Sequence, residues 1–239
     1  FDEVCILAEV SSALSSSYAL SQILQVILTG ATASQGVGFN RCFLFLYDEK
    51  QDELRGHMAV GPSSVEEANR IWQQLENQPT SFGELLAERQ TGNEQQVDPI
   101  TRRIEGMTIS LAEPGLVRTI CAEHASVNLE ETTERDSGTV ALLERLGTAS
   151  AAIIPMTANG KLMGLLIADN QITGRKISDR DVRLLHMLAN QAAVAMERAK
   201  LYESQLERVD ELFMMNQLLA DSQEQLVTTE KMSFVGELS

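Results

Sequence analysis

The sequence predicts an α+β fold: an antiparallel sheet flanked by helices and continued by one long C-terminal helix. Three observations carry that prediction. Two pairs of short apolar runs are each joined by a turn signal, in "RCFLFLYDEKQDELRGHMAVG" and "AAIIPMTANGKLMGLLIADN". Segments of 3.6-residue period with cap residues lie before and between them. From Ser178 the pattern stays helical almost to the end, with no proline and only Gly236 as an interruption.

Taken in order, residues 1–36 read as two helices. Val4, Ile6, Leu7, Val10 and Leu14 stand near helical spacing, as do Leu20, Ile23, Leu24, Ile27 and Leu28, and the serines at 15–17 separate the two sets. "RCFLFLYDE" is a strand buried on both faces, paired by hairpin with "ELRGHMAVG". Ser63 and Ser64 each have a glutamate three residues on, the capping-box spacing, before "VEEANRIWQQL"; Ser81 and Glu84 repeat the device in "TSFGELLAER". Residues 92–115 read as a polar loop or insertion with at most a helical turn around Pro99–Ile104. "GLVRTICAEHA" and "SGTVALLERLG" are short helices, the second with Ser137 as cap and Gly147 as stop. Asn159-Gly160 marks a tight hairpin turn, and Pro155, which cannot donate to a ladder, calls for a bulge or a free side in its strand. Asp181 follows Ser178 at cap spacing.

The final helix would approach 90 Å at ~1.5 Å per residue. A single domain cannot bury that length, so its far half needs a partner. Ala199, Tyr202, Leu206, Val209, Phe213 and Asn216 alternate spacings of three and four, a coiled-coil seam; Leu212, Leu219 and Leu226 form a displaced second seam, which reads as a stutter.

Bulk chemistry excludes several function classes. Acids outnumber bases 34 to 19, for a net charge of −15, which argues against nucleic acid and against contact with an anionic membrane. The three cysteines, Cys5, Cys42 and Cys121, are scattered and odd in number. They form neither a disulfide framework nor a zinc spacing, and a reducing, cytoplasmic setting is expected. No nucleophile–base pair, phosphate-binding glycine loop or HExxH string is present, so no catalytic residue, metal or cofactor is expected in this chain. The start at Phe1 reads as a piece cut from a longer protein.

The order of elements, and above all "AAIIPMTANGKLMGLLIADN…ISDRDVRLLHMLANQAAVAMERAKLYE", resembles a GAF domain. The resemblance covers roughly residues 3–205 and implies a sheet of about six strands with a ligand pocket on one face. It places a GAF sensor domain at 1–200, with an insertion at about 80–115, and a coiled-coil signalling helix at 201–239. "EKMSFVGELS", at 230–239, resembles the start of the dimerisation and phosphoacceptor helix of sensor histidine kinases. That likeness implies a parent kinase using ATP and magnesium, autophosphorylating a histidine beyond Ser239 and passing the phosphoryl group to a response regulator. Cyclic-nucleotide-binding relatives carry an Asn-Lys pair where this chain has Asp169-Asn170, so cyclic-nucleotide binding is not expected. Bilin-attaching relatives use a cysteine, often beside a histidine; Cys121 and His124 are three apart and their flanks differ.

The candidate pocket residues are Cys42, Leu44, His57, Trp72, Arg118, Cys121 and Ile154. Cys121 and His124, on one helix face, read either as a ligand or haem contact or as an apolar filler beside a solvated histidine; the plain reading is preferred. His57 is a pocket or pH-sensitive group, or a half-exposed strand residue. Trp72 is core or lid. Arg118 meets an anionic ligand or a surface acid. His186 is expected in packing or at a dimer face. The expected homodimer interface is Leu185, Ala189, Ala192, Ala193 and Met196, then Ala199, Tyr202, Leu206, Val209, Phe213 and Asn216. Two alternatives stand beside a ligand-sensing kinase module: a haem-based gas or redox sensor with iron near His57 or His124, and an architectural dimerisation domain whose pocket is filled by its own side chains.

Overall fold

The structure, a computed structural model, describes residues 20–33, 36–77, 99–130 and 135–237, without the side chains at 72, 74–77 and 220–237. The predicted helices at 1–17 and around Ser81–Glu84 lie outside the described residues, as does the Trp72 side chain. The chain divides into two compact units, Phe1–Glu197 and Arg198–Ser239.

The first unit is the predicted α+β fold. Its elements run α1 (Leu20–Thr32), β1 (Arg41–Asp48), β2 (Glu53–Val60), α2 (Val65–Asn77), α3 (Pro99–Ile104), β3 (Thr108–Ser110), α4 (Leu116–Glu123), β4 (Val127–Asn128), α5 (Ser137–Leu146), β5 (Ala152–Ala158) and β6 (Lys161–Asp169). α6 (Asp179–Glu237) begins in this unit and continues through the second. The sheet has six strands in the order β3-β2-β1-β6-β5-β4, every neighbouring pair antiparallel.

Local chemistry accounts for most element ends. Asn159 and Gly160, with φ of 50° and 75°, make the β5–β6 turn that left-handed backbone permits. Beside Pro155 the β5–β6 register shifts between Met156 and Thr157, the expected bulge. At α2 the capping box is Ser64 and Glu67: the Glu67 amide donates to Ser64 Oγ at 3.2 Å, while the Glu67 carboxylate accepts from the Ser63 amide at 2.7 Å. α6 opens with a reciprocal box, the Asp181 amide donating to Ser178 Oγ at 3.2 Å and the Ser178 amide to Asp181 Oδ2 at 3.0 Å.

Segment 99–115 holds more structure than the expected loop: the helical turn expected at Pro99–Ile104 is present, and a short strand follows it. α3 and β3 both form there, and Ile100, Ile104 and Met107 are core residues. Three apolar positions among polar neighbours are enough, because α3 is a short helix that packs chiefly against β2 and so shows little periodicity of its own.

Strand pleating divides the core in two. Phe43 pairs with Ile167 and Ile167 with Ile153; one residue along, Leu44 pairs with Leu166 and Leu166 with Ile154. Successive residues point to opposite faces. The Phe43–Ile167–Ile153 face, with Phe45 and Leu165, packs against Ile100 and Ile104 of α3, Val117, Ile120 and Cys121 of α4, and Leu142, Leu143 and Leu146 of α5. Cys42, Leu44, Ile154 and Leu166 are buried outside that cluster. Ile23, Leu24, Ile27 and Leu28 of α1, which packs on β1 and β2, are buried as well, as are Leu185, Leu188, Ala189 and Ala192 of α6. Each such side chain contributes roughly 1.5–3 kcal/mol on leaving water.

Candidate functional site

The face of the sheet covered by α3, α4 and α5 is the candidate site, and two polar devices fix that cover. The first is Asp136. Its carboxylate accepts from the Thr139 amide at 2.8 Å and the Thr139 hydroxyl at 3.0 Å, capping α5. It also accepts from the amide of Leu116, the first residue of α4, at 2.7 Å. One side chain therefore caps two helices. Partial burial on its own would raise the Asp136 pKa, but hydrogen bonds from Leu116, Thr139 and Gly138 outweigh it and hold the carboxyl below its ordinary value. The cap of α5 is thus Asp136 and not Ser137, which is the first helical residue. Serine and aspartate are nearly equal as caps, so adjacency in sequence could not choose between them.

The second device sits at the other end of α5. Gly147 closes that helix with φ 66°, in the left-handed region. A Cβ there would stand 2.5 Å from Arg103 Nη1 and displace that guanidinium, while the positive φ itself favours glycine. Arg103 of α3 donates to the Leu146 carbonyl at 2.9 Å, and Arg41 of β1 donates from Nη2 to the Gly147 carbonyl at 3.0 Å. Two guanidinium groups thus meet the negative end of α5. Arg41 is itself paired with Asp169, fully buried. That pairing occupies the carboxylate at the position where the cyclic-nucleotide relatives differ from this chain.

The predicted pocket residues do not converge. Cys121 is in the core beneath α4, where burial pushes its thiol up to about 12. Cys42, Leu44 and Ile154 lie on the opposite sheet face; burial, then the Asp169 charge, raises the Cys42 thiol further still. The sequence could not place these three, because the period of a strand is two and an all-apolar strand gives no sign of which face looks where. His57 is exposed, although partial desolvation lowers its pKa. Arg118 is exposed too, and its Nη1 donates to the Ala112 carbonyl at 3.1 Å. His124 does not share a face with Cys121. It follows α4 in the left-handed conformation, φ 53°, and is exposed, so helical spacing no longer holds at that position. His186 is half-buried and hydrogen-bonded through Nδ1 to Ser126 Oγ at 2.6 Å.

The expected dimer seam also divides. Leu185, Ala189, Ala192, Ala193 and Met196 are fully buried within the single chain, and Ala199 is 3% exposed. The first five are core of the first unit: the small side chains allow close packing inside the domain, an alternative that alanine content cannot distinguish from close packing between two chains. From Tyr202 onward the seam is open. Tyr202, Leu206, Val209 and Phe213 are 48–63% exposed, as are Leu212 and Leu219 of the second seam at 61% and 56%. Asn216 is exposed beside them. Among the described residues, no helix is long and apolar enough to cross a membrane.

Comparison with known proteins matches this geometry to a family. The family model described as GAF domain matches residues 19–196. Comparison with curated proteins finds no match by sequence. Among solved structures, the chain is similar to residues 122 to 287 of a methyl-accepting chemotaxis protein, at 17% identity and TM-score 0.52, covering 81% of this chain and 98% of that one. It is similar to the GAF domain of a phosphoenolpyruvate-protein phosphotransferase from Coxiella burnetii, at 15% identity and TM-score 0.53, covering 84% and 96%. It is also similar to a phycoerythrobilin-bound GAF domain from a cyanobacterial phytochrome, at 14% identity and TM-score 0.55, covering 83% and 96%. These likenesses concern the fold. With a six-stranded antiparallel sheet, helices on its faces and a family match over most of its length, the chain belongs to the GAF domain family.

Proposed function

We propose that this GAF domain, a sensory and regulatory module, is the input portion of a homodimeric sensor histidine kinase. The observation that carries the reading is α6. It starts inside the domain with its buried residues in the core, then presents open apolar residues from Tyr202, and its residues 230–237 fall in "EKMSFVGELS". Two copies joined along Tyr202, Leu206, Val209 and Phe213 would bury that stripe, with Asn216 setting register. A signal at the sheet would bias two arrangements of the helix pair, with the displaced seam at Leu212 and Leu219 as the place where winding changes. In the parent, ATP and magnesium would serve phosphorylation of a histidine, and a response regulator would receive the phosphoryl group. The test is the parent itself. Residues encoded after Ser239 should bring a histidine within the next turns of the helix, and the parent should autophosphorylate with ATP. A continuation into a cyclase or a transcriptional regulator would refute the kinase assignment.

A second reading is an architectural spacer without ligand. It is favoured by one observation: Phe43, Phe45, Ile153, Leu165 and Ile167, on the face covered by α3–α5, are all fully buried by the chain's own side chains. Thermal-shift screening separates the two, since a small molecule that binds the native state raises the midpoint. A Soret band in the purified protein would instead favour a haem sensor.

A further inference from the structure

β4 and its flanks bridge the two cores. β4 is followed directly by a turn at Leu129–Glu130, where the Glu130 amide donates to Asn128 Oδ1 at 3.1 Å. Val127 and Leu129 pack into the cluster that holds α4 and α5. Ser126, Asn128 and Glu130 all bond to α6 or to the segment that opens it. Asn128, 8% exposed, donates from Nδ2 to the Ile177 carbonyl at 2.9 Å. The Ile177 amide donates to Glu130 Oε2 at 3.1 Å. Ser126 Oγ and His186 Nδ1 complete the set. Both backbone polar groups of Ile177, a buried residue, are thus met by side chains of β4 and the turn that follows it.

The other end of this run is tied to α4: the Ala125 amide donates to the Ile120 carbonyl at 3.2 Å. The strand itself is only two residues long, sits at the sheet edge and pairs with β5 alone, through Val127–Ile153 and Asn128–Ala152. Few ladder bonds resist its movement. A shift of β4 would leave the Ile177 groups buried and unpaired, so the start of α6 must follow it.

We propose that Ser126, Asn128 and Glu130 form a strap that makes α4 and the first turns of α6 open and close together. This goes beyond the sensor reading and needs neither ligand nor kinase, so its failure would leave that reading standing.

Native-state hydrogen exchange on the chain tests it. Ala122→Gly weakens α4 at an exposed position. The double variant S126A/E130A cuts two of the three bonds and spares the buried Asn128. In the intact chain, Ala122→Gly should speed exchange of α4 amides about fivefold, the factor for a helix cost of ~1 kcal/mol for glycine over alanine. It should also speed the Val182–Leu185 amides at least about twofold, the low end for coupled neighbours, and leave Phe43–Phe45 unchanged. In the S126A/E130A background, where only the Asn128 bond remains, the response at Val182–Leu185 should shrink. No response at Val182–Leu185 in the intact chain overturns the proposal. So does a response of the same size in the S126A/E130A background, or one shared equally by Phe43–Phe45.

Discussion

Arg41 and Asp169 face each other across β1 and β6, paired in register, with Nη2 and Oδ2 2.6 Å apart and the two side chains 3% and 0% exposed. Nε adds a second bond at 2.9 Å, and the guanidinium also stands 5.4 Å from the Phe43 ring centre. The remaining Asp169 valence is met by the Gln171 amide. Attraction within such a pair is offset by the cost of drying both charges, so its net stabilisation is small, whereas breaking it is not. Arg41→Met should therefore cost about 3–5 kcal/mol by stranding a buried carboxylate, while R41M/D169L should recover most of that loss. Urea unfolding measures both; a single variant as stable as the parent chain would refute the account.

Asp136 carries a pH dependence of predictable sign. Its native pKa is depressed, so its stabilisation is complete above the ordinary aspartate value of about 3.9 and fades as pH falls through the lower native value. Asp136→Ala should cost about 1–2 kcal/mol at neutral pH, the upper range for a cap because two helices lose their acceptor. The gap between variant and parent should narrow below about pH 4. Thermal melts at pH 7 and pH 3 decide; a gap that widens in acid would contradict the double cap.

Neither described cysteine is poised for chemistry. With its thiol pushed up to about 12, native Cys121 should alkylate on the order of 10³ times more slowly at pH 8 than a free thiol. Cys42, raised further by burial and by Asp169, should be slower still. Mass spectrometry after iodoacetamide treatment, with and without denaturant, gives the comparison. Rapid native labelling of either would show that its core opens far more readily than its packing implies.

The proposed dimer makes a separate demand. L206K/F213K places charge on two side chains that are already 49% and 63% exposed, so the single-chain fold should be untouched. Sedimentation mass at micromolar concentration should fall from two chains to one while the circular dichroism of the sheet persists. A parent chain that sediments as one copy would remove the dimer before any substitution is made.

By itself the sequence determined the local items: the β1–β2 and β5–β6 hairpins, the Asn159-Gly160 turn, the Ser178–Asp181 and Ser64–Glu67 boxes, the Gly147 stop and the helical run from Ser178. Each depends on residues within a few positions of one another, where backbone preference and capping act. What only the tertiary structure decided is which side each apolar residue faces and which distant groups meet. β3 and β4, three and two residues long, carry too little pattern to be read. Cys42 and Cys121 look alike in sequence yet lie on opposite sides of the sheet, and Ala189–Met196 could have closed a dimer but instead closed a core. The physical reason is that burial and long-range hydrogen bonding, as between Arg41 and Asp169 or Asp136 and Leu116, are set by chain topology, which no local spacing encodes.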